Sequence, residues 1–252
     1  MTASSDKIAL ITGGNRGLGY ETARELGAAG ITVVIAARTL KAAETAAASL
    51  KAMGYKPDAI QLDIAKADDR KQAYGTLKAR YGKLDILVNN AGVFLEAENA
   101  SAAAGKKTTS STTEEVLRGT FETNFFDTVF LTQTLLPLIK AAPAGRIVNL
   151  SSILGSLTLH AQPDSPIAHA KAFAYNASKT ALNAFTIHLA DELRGTAIKV
   201  NSAHPGWVQT DMGGPAAALP LSEGGKTSAQ LALLGPDGPT GGYFHLGKAL
   251  PW

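Results

Sequence analysis

The chain has 252 residues, 45% apolar and 18% charged, which suits one large α/β domain with a full core and leaves too little for two. A formal charge of +3 with a single local basic pair, Lys106-Lys107, lacks the concentrated stripe of a nucleic-acid binder, although an anionic small ligand suits the excess. The absence of cysteine excludes disulfides and Cys-ligated zinc, and neither the polar start, Met1 to Lys7, nor any later run reads as a signal peptide or membrane span, so a cytoplasmic protein with no membrane partner is expected.

Along the chain, short β-rich apolar runs alternate with longer helix-like stretches. The expected strands are Ile8–Thr12, Thr32–Ala36, Ala59–Leu62, Ile86–Asn89, Ile147–Leu150 and Lys199–Ala203, with a last short one at Gly242–Phe244. Each of the first five precedes a segment long enough for a crossover helix. The pattern predicts an α/β fold with a doubly wound parallel sheet of about seven strands and helices on both faces, as a single domain over residues 1–252. Irregular loops are expected near 94–113, 153–172 and 211–225, where Gly, Pro, Ser, Thr and Ala break the rhythm.

The first strand runs into Gly13-Gly-Asn15-Arg16-Gly17-Leu18-Gly19 and then into a helical pattern. Glycines between strand and helix let the backbone approach a pyrophosphate, and the helix N-terminus offers it free N–H groups and a positive dipole end. The second strand ends Ala36-Ala37-Arg38, with no acid where a ribose 2′-hydroxyl would need an acceptor. Arg38, together with Arg16 in the turn, suits a 2′-phosphate instead. The expected cofactor is therefore NADPH/NADP+.

Farther on, Phe173-Ala-Tyr175-Asn-Ala-Ser-Lys179 opens a long helical pattern. Tyr175 and Lys179 are four apart and share one helix face. An ammonium beside a phenol favours the phenolate and is expected to lower its pKa toward a useful acid–base range.

The spacing Gly-x-x-x-Gly-x-Gly, the segment Asn89-Asn90-Ala91-Gly92 and the Tyr175/Lys179 pair together resemble the short-chain dehydrogenase/reductase family over nearly the whole chain. Thr12-Gly-Gly-Asn15, Ala37-Arg38, Gln61-Leu-Asp63-Ile64, His204-Pro205-Gly206-Trp207 and Thr210-Asp-Met212 are similar to its carbonyl reductases. The resemblance implies that Asp63 and Ile64 meet the adenine and that Asn90, Ala91 and Gly92 line the adenosine site. It also implies that Pro205, Gly206, Trp207, Val208 and Thr210 pack on the nicotinamide. Of Ser151-Ser152, it assigns catalysis to Ser152, and it assigns to Asn124 a water linking Lys179 to solvent.

NADPH-dependent reduction of a ketone or aldehyde follows, with Tyr175 as general acid. Ser152, Leu154, Trp207 and Met212 would meet the substrate, within an apolar wall that also takes in Phe94, Leu157, Ile167 and Leu219. His160, His169, His188 and His204 have no metal-ligand spacing, and no metal is expected.

Ser152 and Tyr175 stand 23 positions apart, more than is usual in the family, although carbonyl reductases carry a still longer insertion there. The insertion is expected either to cap the helix that many relatives use for subunit packing or to be displaced into the partner, favouring a monomer or homodimer over a tetramer. Two rivals stay open: an NAD-linked alcohol or sugar dehydrogenase, disfavoured by Arg38, and a non-catalytic cofactor sensor, disfavoured by the full Asn-Ser-Tyr-Lys set.

Overall fold

A computed structural model describes residues 7–106 and 108–252; the start before Lys7 and Lys107 of the basic pair lie outside the described residues. The elements follow as β1 (Ile8–Thr12), α1 (Gly17–Ala28), β2 (Thr32–Ala37), α2 (Leu40–Ala52), β3 (Pro57–Gln61), α3 (Ala67–Tyr81), β4 (Ile86–Asn89), α4 (Ala100–Ala103), α5 (Glu114–Phe121), α6 (Asp127–Lys140), β5 (Arg146–Leu150), α7 (Leu157–Ala161), α8 (Phe173–Glu192), β6 (Lys199–Ala203), α9 (Lys226–Ala232), β7 (Tyr243–His245) and β8 (Lys248–Ala249). They build one sheet in the order β3-β2-β1-β4-β5-β6-β7-β8.

The doubly wound parallel sheet expected from the sequence is present, with β1 to β7 all parallel. An eighth strand, too short to read from the sequence, turns back antiparallel on β7. β3 begins at Pro57, two residues ahead of expectation, and ends at Gln61 before Leu62. It is an edge strand, where a leading proline leaves no ladder bond unmade, and its polar residues hide the apolar pattern.

Strand residues alternate between two cores. Ile8 and Leu10 of β1 face the layer of α3, α6 and α8, while Ala9 and Ile11 face that of α1, α2 and α9. Burial on both faces explains why these strands read as continuous apolar runs. The three irregular segments also hold local structure: α4 in 94–113, a 3₁₀ turn Ile153–Gly155 and α7 in 153–172, and a 3₁₀ turn Leu221–Glu223 in 211–225.

A chain of buried polar side chains crosses the middle of the sheet. Asn89 Nδ2 donates to Thr132 Oγ1 at 2.9 Å and to Asn149 Oδ1 at 2.8 Å. Asn149 Nδ2 donates to Thr186 Oγ1 at 2.8 Å, and Thr186 shares a 2.8 Å hydroxyl contact with Ser202. Three neighbouring strands are thereby tied to α6 and α8. Asn149→Ala removes the central link and leaves buried partners unpaired. It should lower the urea midpoint by an amount equivalent to about 1–3 kcal/mol with the denaturant slope unchanged.

Candidate active site

The ends of β1 and β4 are adjacent at the point where the strand order reverses, which is where ligands enter open α/β sheets. Thr12 Oγ1 accepts from the N–H groups of Asn90 and Ala91, both at 2.9 Å, and Asn90 Nδ2 donates to the Thr12 carbonyl at 2.7 Å. Asn90 thus spends its amide on holding the glycine turn. In that turn Gly13 and Gly17 adopt left-handed φ of +61° and +56°. Gly19 does not line the cleft. A Cβ on it would sit 2.5 Å from Asn90 Nδ2 and from the Gly13 carbonyl, so this glycine lets α1 close on the turn.

The N-terminus of α1 has no side-chain cap and no acid in its first turn, which leaves its N–H groups for an anion. Gly13, Asn15, Arg16, Gly17, Leu18, Arg38, Asp63, Ile64, Ala91 and Gly92 share one cleft of about 1440 Å³ with Ser152, Tyr175, Lys179, Pro205 to Val208 and Thr210. That exceeds the ~300–1,000 Å³ of an ordinary small-ligand pocket and has room for a dinucleotide beside a second molecule. Arg38 is exposed and has no carboxylate partner among the described residues. Arg16, by contrast, already pairs with Asp211 at 2.8 Å across the cleft mouth, with both side chains well exposed at 71% and 84%.

At the other end, β5 delivers Ser152 and α8 delivers Tyr175 and Lys179. Lys179 is 4% exposed and donates to the Leu150 carbonyl at 2.8 Å, with Nζ 5.6 Å from the centroid of the Tyr175 ring. Burial pulls its ammonium down to about 8. Burial also pushes the Tyr175 phenol up to about 12, against the neighbouring Ser152 hydroxyl, which works in the other direction. The sequence expectation of a lowered tyrosine is thus reversed: desolvation is the largest influence on the phenol and drives it upward.

Asn124 lies in a π-helical stretch, Glu122–Phe126, between α5 and α6, a widened turn that interrupts regular helix. It does not line the cleft. Its Nδ2 donates to the Val93 carbonyl at 2.9 Å and to Ser178 Oγ at 3.0 Å, and its Oδ1 accepts from Val93 N–H at 2.8 Å. The side chain therefore fastens the segment after β4 to α8.

Phe94, Leu154, Ile167, Trp207 and Met212 all line the cleft as expected, whereas Leu157 and Leu219 do not. Leu157 is 64% exposed on α7. Leu219 packs where a Cβ on Gly206 would be, 2.4 Å from its Cδ1, behind the Pro205–Val208 segment. Trp207 is held by a 2.9 Å bond from Nε1 to the Gly213 carbonyl.

A family model described as short chain dehydrogenase matches residues 7–218. The chain belongs to that family. It is 34% identical to carbonyl reductase (NADPH) 1 of Mus musculus and 32% identical to that of Homo sapiens, covering 99% of this chain and 100% of each relative. Among solved structures, NADPH-bound carbonyl reductase from chicken fatty liver superposes with a TM-score of 0.81 at 25% identity, over 98% of this chain and 94% of that one. Salutaridine reductase from Papaver somniferum gives 0.80 at 27% identity, over 94% and 99%. As a short-chain dehydrogenase, the protein is an oxidoreductase.

Two residues near the site make contacts that their sequence positions did not reveal. His204 is buried, its imidazole pulled down to about 3 by burial and by nearby His245. Its Nδ1 accepts from the N–H of Ile153 at 3.1 Å and so steadies the residue after Ser152. Glu96 lies in a low-complexity loop, yet it reaches the first turn of α8. Among the described residues, no cluster of three or more His, Cys, Asp or Glu could hold a metal.

The lowered Lys179 makes a pH prediction. Below about 8 the ammonium is charged in both folded and unfolded chains, and its burial cost is fully present. From there to the ordinary value of 10.5, the unfolded chain holds a proton that the folded one has lost, so stability rises with pH in that window. Relative to Lys179→Met, the wild type should recover up to about 3 kcal/mol of unfolding free energy across it, measured by urea titration of both proteins.

Proposed function

We propose that this short-chain dehydrogenase is an NADPH-dependent carbonyl reductase acting on ketones or aldehydes. The observation carrying the proposal is a single cleft that joins a cationic adenosine end, with Ala37 and Arg38 in place of an acid, to Ser152, a protonated Tyr175 and Lys179. The relatives named above as NADPH carbonyl reductases support the same reading.

The free N–H groups of α1 would hold the pyrophosphate, and Arg38 would take the 2′-phosphate through its guanidinium fork. Arg16 joins it by exchanging Asp211 for phosphate. When bound, the reduced nicotinamide supplies the hydride. The Ser152 hydroxyl donates to the substrate carbonyl oxygen, and Tyr175 Oη delivers the proton to that oxygen as negative charge develops there. Lys179, anchored on the Leu150 carbonyl, places a positive charge beside the tyrosine ring and steadies the phenolate that remains. Asn124 keeps Val93 and α8 in register.

Phe94, Leu154, Ile167, Trp207 and Met212 make the substrate end apolar, so aryl or long-chain carbonyls fit better than sugars, whose hydroxyls would be left unpaired. The same reading keeps a cytoplasmic location and a monomer or homodimer; no helix of the described residues is long and apolar enough to cross a membrane.

Steady-state kinetics test the proposal. NADPH should be preferred over NADH by about tenfold or more in kcat/KM, and Arg38→Asp should erode or reverse that preference. Tyr175→Phe should lower carbonyl reduction by orders of magnitude while NADPH still binds. Equal use of both cofactors, or an active Tyr175→Phe enzyme, would contradict the assignment.

A further inference from the structure

The described residues of the segment 94–113 form a strap that bonds to both sides of the cleft. On one side Ala100 N–H donates to the Met212 carbonyl at 2.8 Å and Ser101 Oγ to the Gly213 carbonyl at 3.0 Å. On the other, Gly105 N–H donates to the His169 carbonyl at 3.2 Å and Thr108 N–H to the Lys171 carbonyl at 3.3 Å. The strap thus joins the loop after Thr210 to the chain entering α8.

The first turn of α8 lacks its own equipment. Ala172 at the N-cap has no side chain able to accept, and no acid lies in the first turn. Helix N-termini leave N–H groups unsatisfied unless something caps them, and caps come most often from the helix itself. Here the strap supplies them. Glu96 Oε2 accepts from the N–H of Tyr175 at 3.0 Å, and Thr108 Oγ1 accepts from that of Phe173 at 2.9 Å. Glu96 Oε1 in turn accepts from the Thr108 hydroxyl at 2.5 Å, which fixes the carboxylate's orientation. Two residues back, the Phe94 ring packs on the Tyr175 ring, with centroids 5.2 Å apart and planes tilted by 57°.

We propose that Glu96 and Phe94 form a positioning clamp on Tyr175, Glu96 gripping its main chain and Phe94 its ring. This rests on Tyr175 being the proton donor. A capping carboxylate elsewhere on a helix would only add stability; this one bonds the residue whose hydroxyl must meet the substrate oxygen. Proton transfer is sensitive to sub-ångström placement, so release of the clamp lowers turnover more than cofactor binding. Glu96 acts through the helix and does not line the cleft, which makes it a positioning residue.

Glu96→Ala, Glu96→Gln and Tyr175→Phe, assayed together with NADPH and an aryl ketone, test the clamp. Glu96→Ala should lower kcat by about tenfold or more with the NADPH Kd, read by nucleotide fluorescence, within about twofold of wild type. Glu96→Gln, which retains an oxygen acceptor, should recover most of that loss. Thr108→Val leaves Glu96 in place but removes both the hydroxyl that orients it and the cap on Phe173, so it tests the strap's hold on this turn, and should cost a smaller share of kcat at unchanged Kd. It decides the question if Glu96→Ala fails to fold.

The clamp is overturned if Glu96→Ala keeps its kcat, if its NADPH affinity falls in step with kcat, or if Glu96→Gln is as impaired as Glu96→Ala. It is also overturned if Thr108→Val is silent where it alone can be read. An inactive Tyr175→Phe beside a fully active Glu96→Ala removes only the clamp, whereas an active Tyr175→Phe removes the acid assignment beneath it.

Discussion

The line of hydrogen bonds from Thr132 through Asn89, Asn149 and Thr186 to Ser202 is the constraint on which the active site depends. Parallel strands fix their neighbours through main-chain ladders, but ladders alone do not fix how a helix slides along the sheet. A buried amide can be satisfied in few positions, and leaving it unsatisfied is costly. Thr186 lies on the same helix as Tyr175 and Lys179, Thr132 follows Asn124 on the α5–α6 rod, and Asn149 precedes Ser152. Ser152, Tyr175 and Lys179 are therefore each joined to this chain of side chains through their own strand or helix.

Lys179 shows the opposite economy. Its burial is unfavourable for the folded chain and is only partly offset by the Leu150 carbonyl. The same burial that lowers the ammonium raises Tyr175, so the pair meets from opposite directions, with a protonated phenol facing a readily neutralised amine. Desolvation is the largest cause of both shifts.

The sheet was legible from the sequence because its central strands are buried on both faces and read as unbroken apolar runs between glycine turns. The edges were not: β3 carries Pro57, Asp58 and Gln61, and β8 has two residues. At the site, Tyr175, Lys179 and the glycine turn were legible because fixed spacing on one helix or one turn carries the information. The direction of the tyrosine shift was not, since it depends on how completely distant segments exclude water. Asn124 was found by position, but its side chain fastens Val93 to α8, a contact between residues far apart in sequence. Glu96 left no trace, because a cap contributed by another segment follows no local pattern.

The two ends of the sheet have a consequence for how the protein behaves in company. An exposed strand edge is a template on which another chain can add a strand, the first step toward aggregation. On β3, Pro57 offers no N–H to a newcomer, and the Asp58 carboxylate is occupied by Arg80 at 2.6 Å and by the Tyr81 hydroxyl at 2.5 Å. On the opposite side, β7 is covered by β8, which is short, solvent-facing, bears Lys248 and is followed shortly by Pro251. Neither border can readily recruit a strand. Crowding at high concentration is thus directed away from fibril-like growth, and copies of this chain that meet must do so through helices or loops.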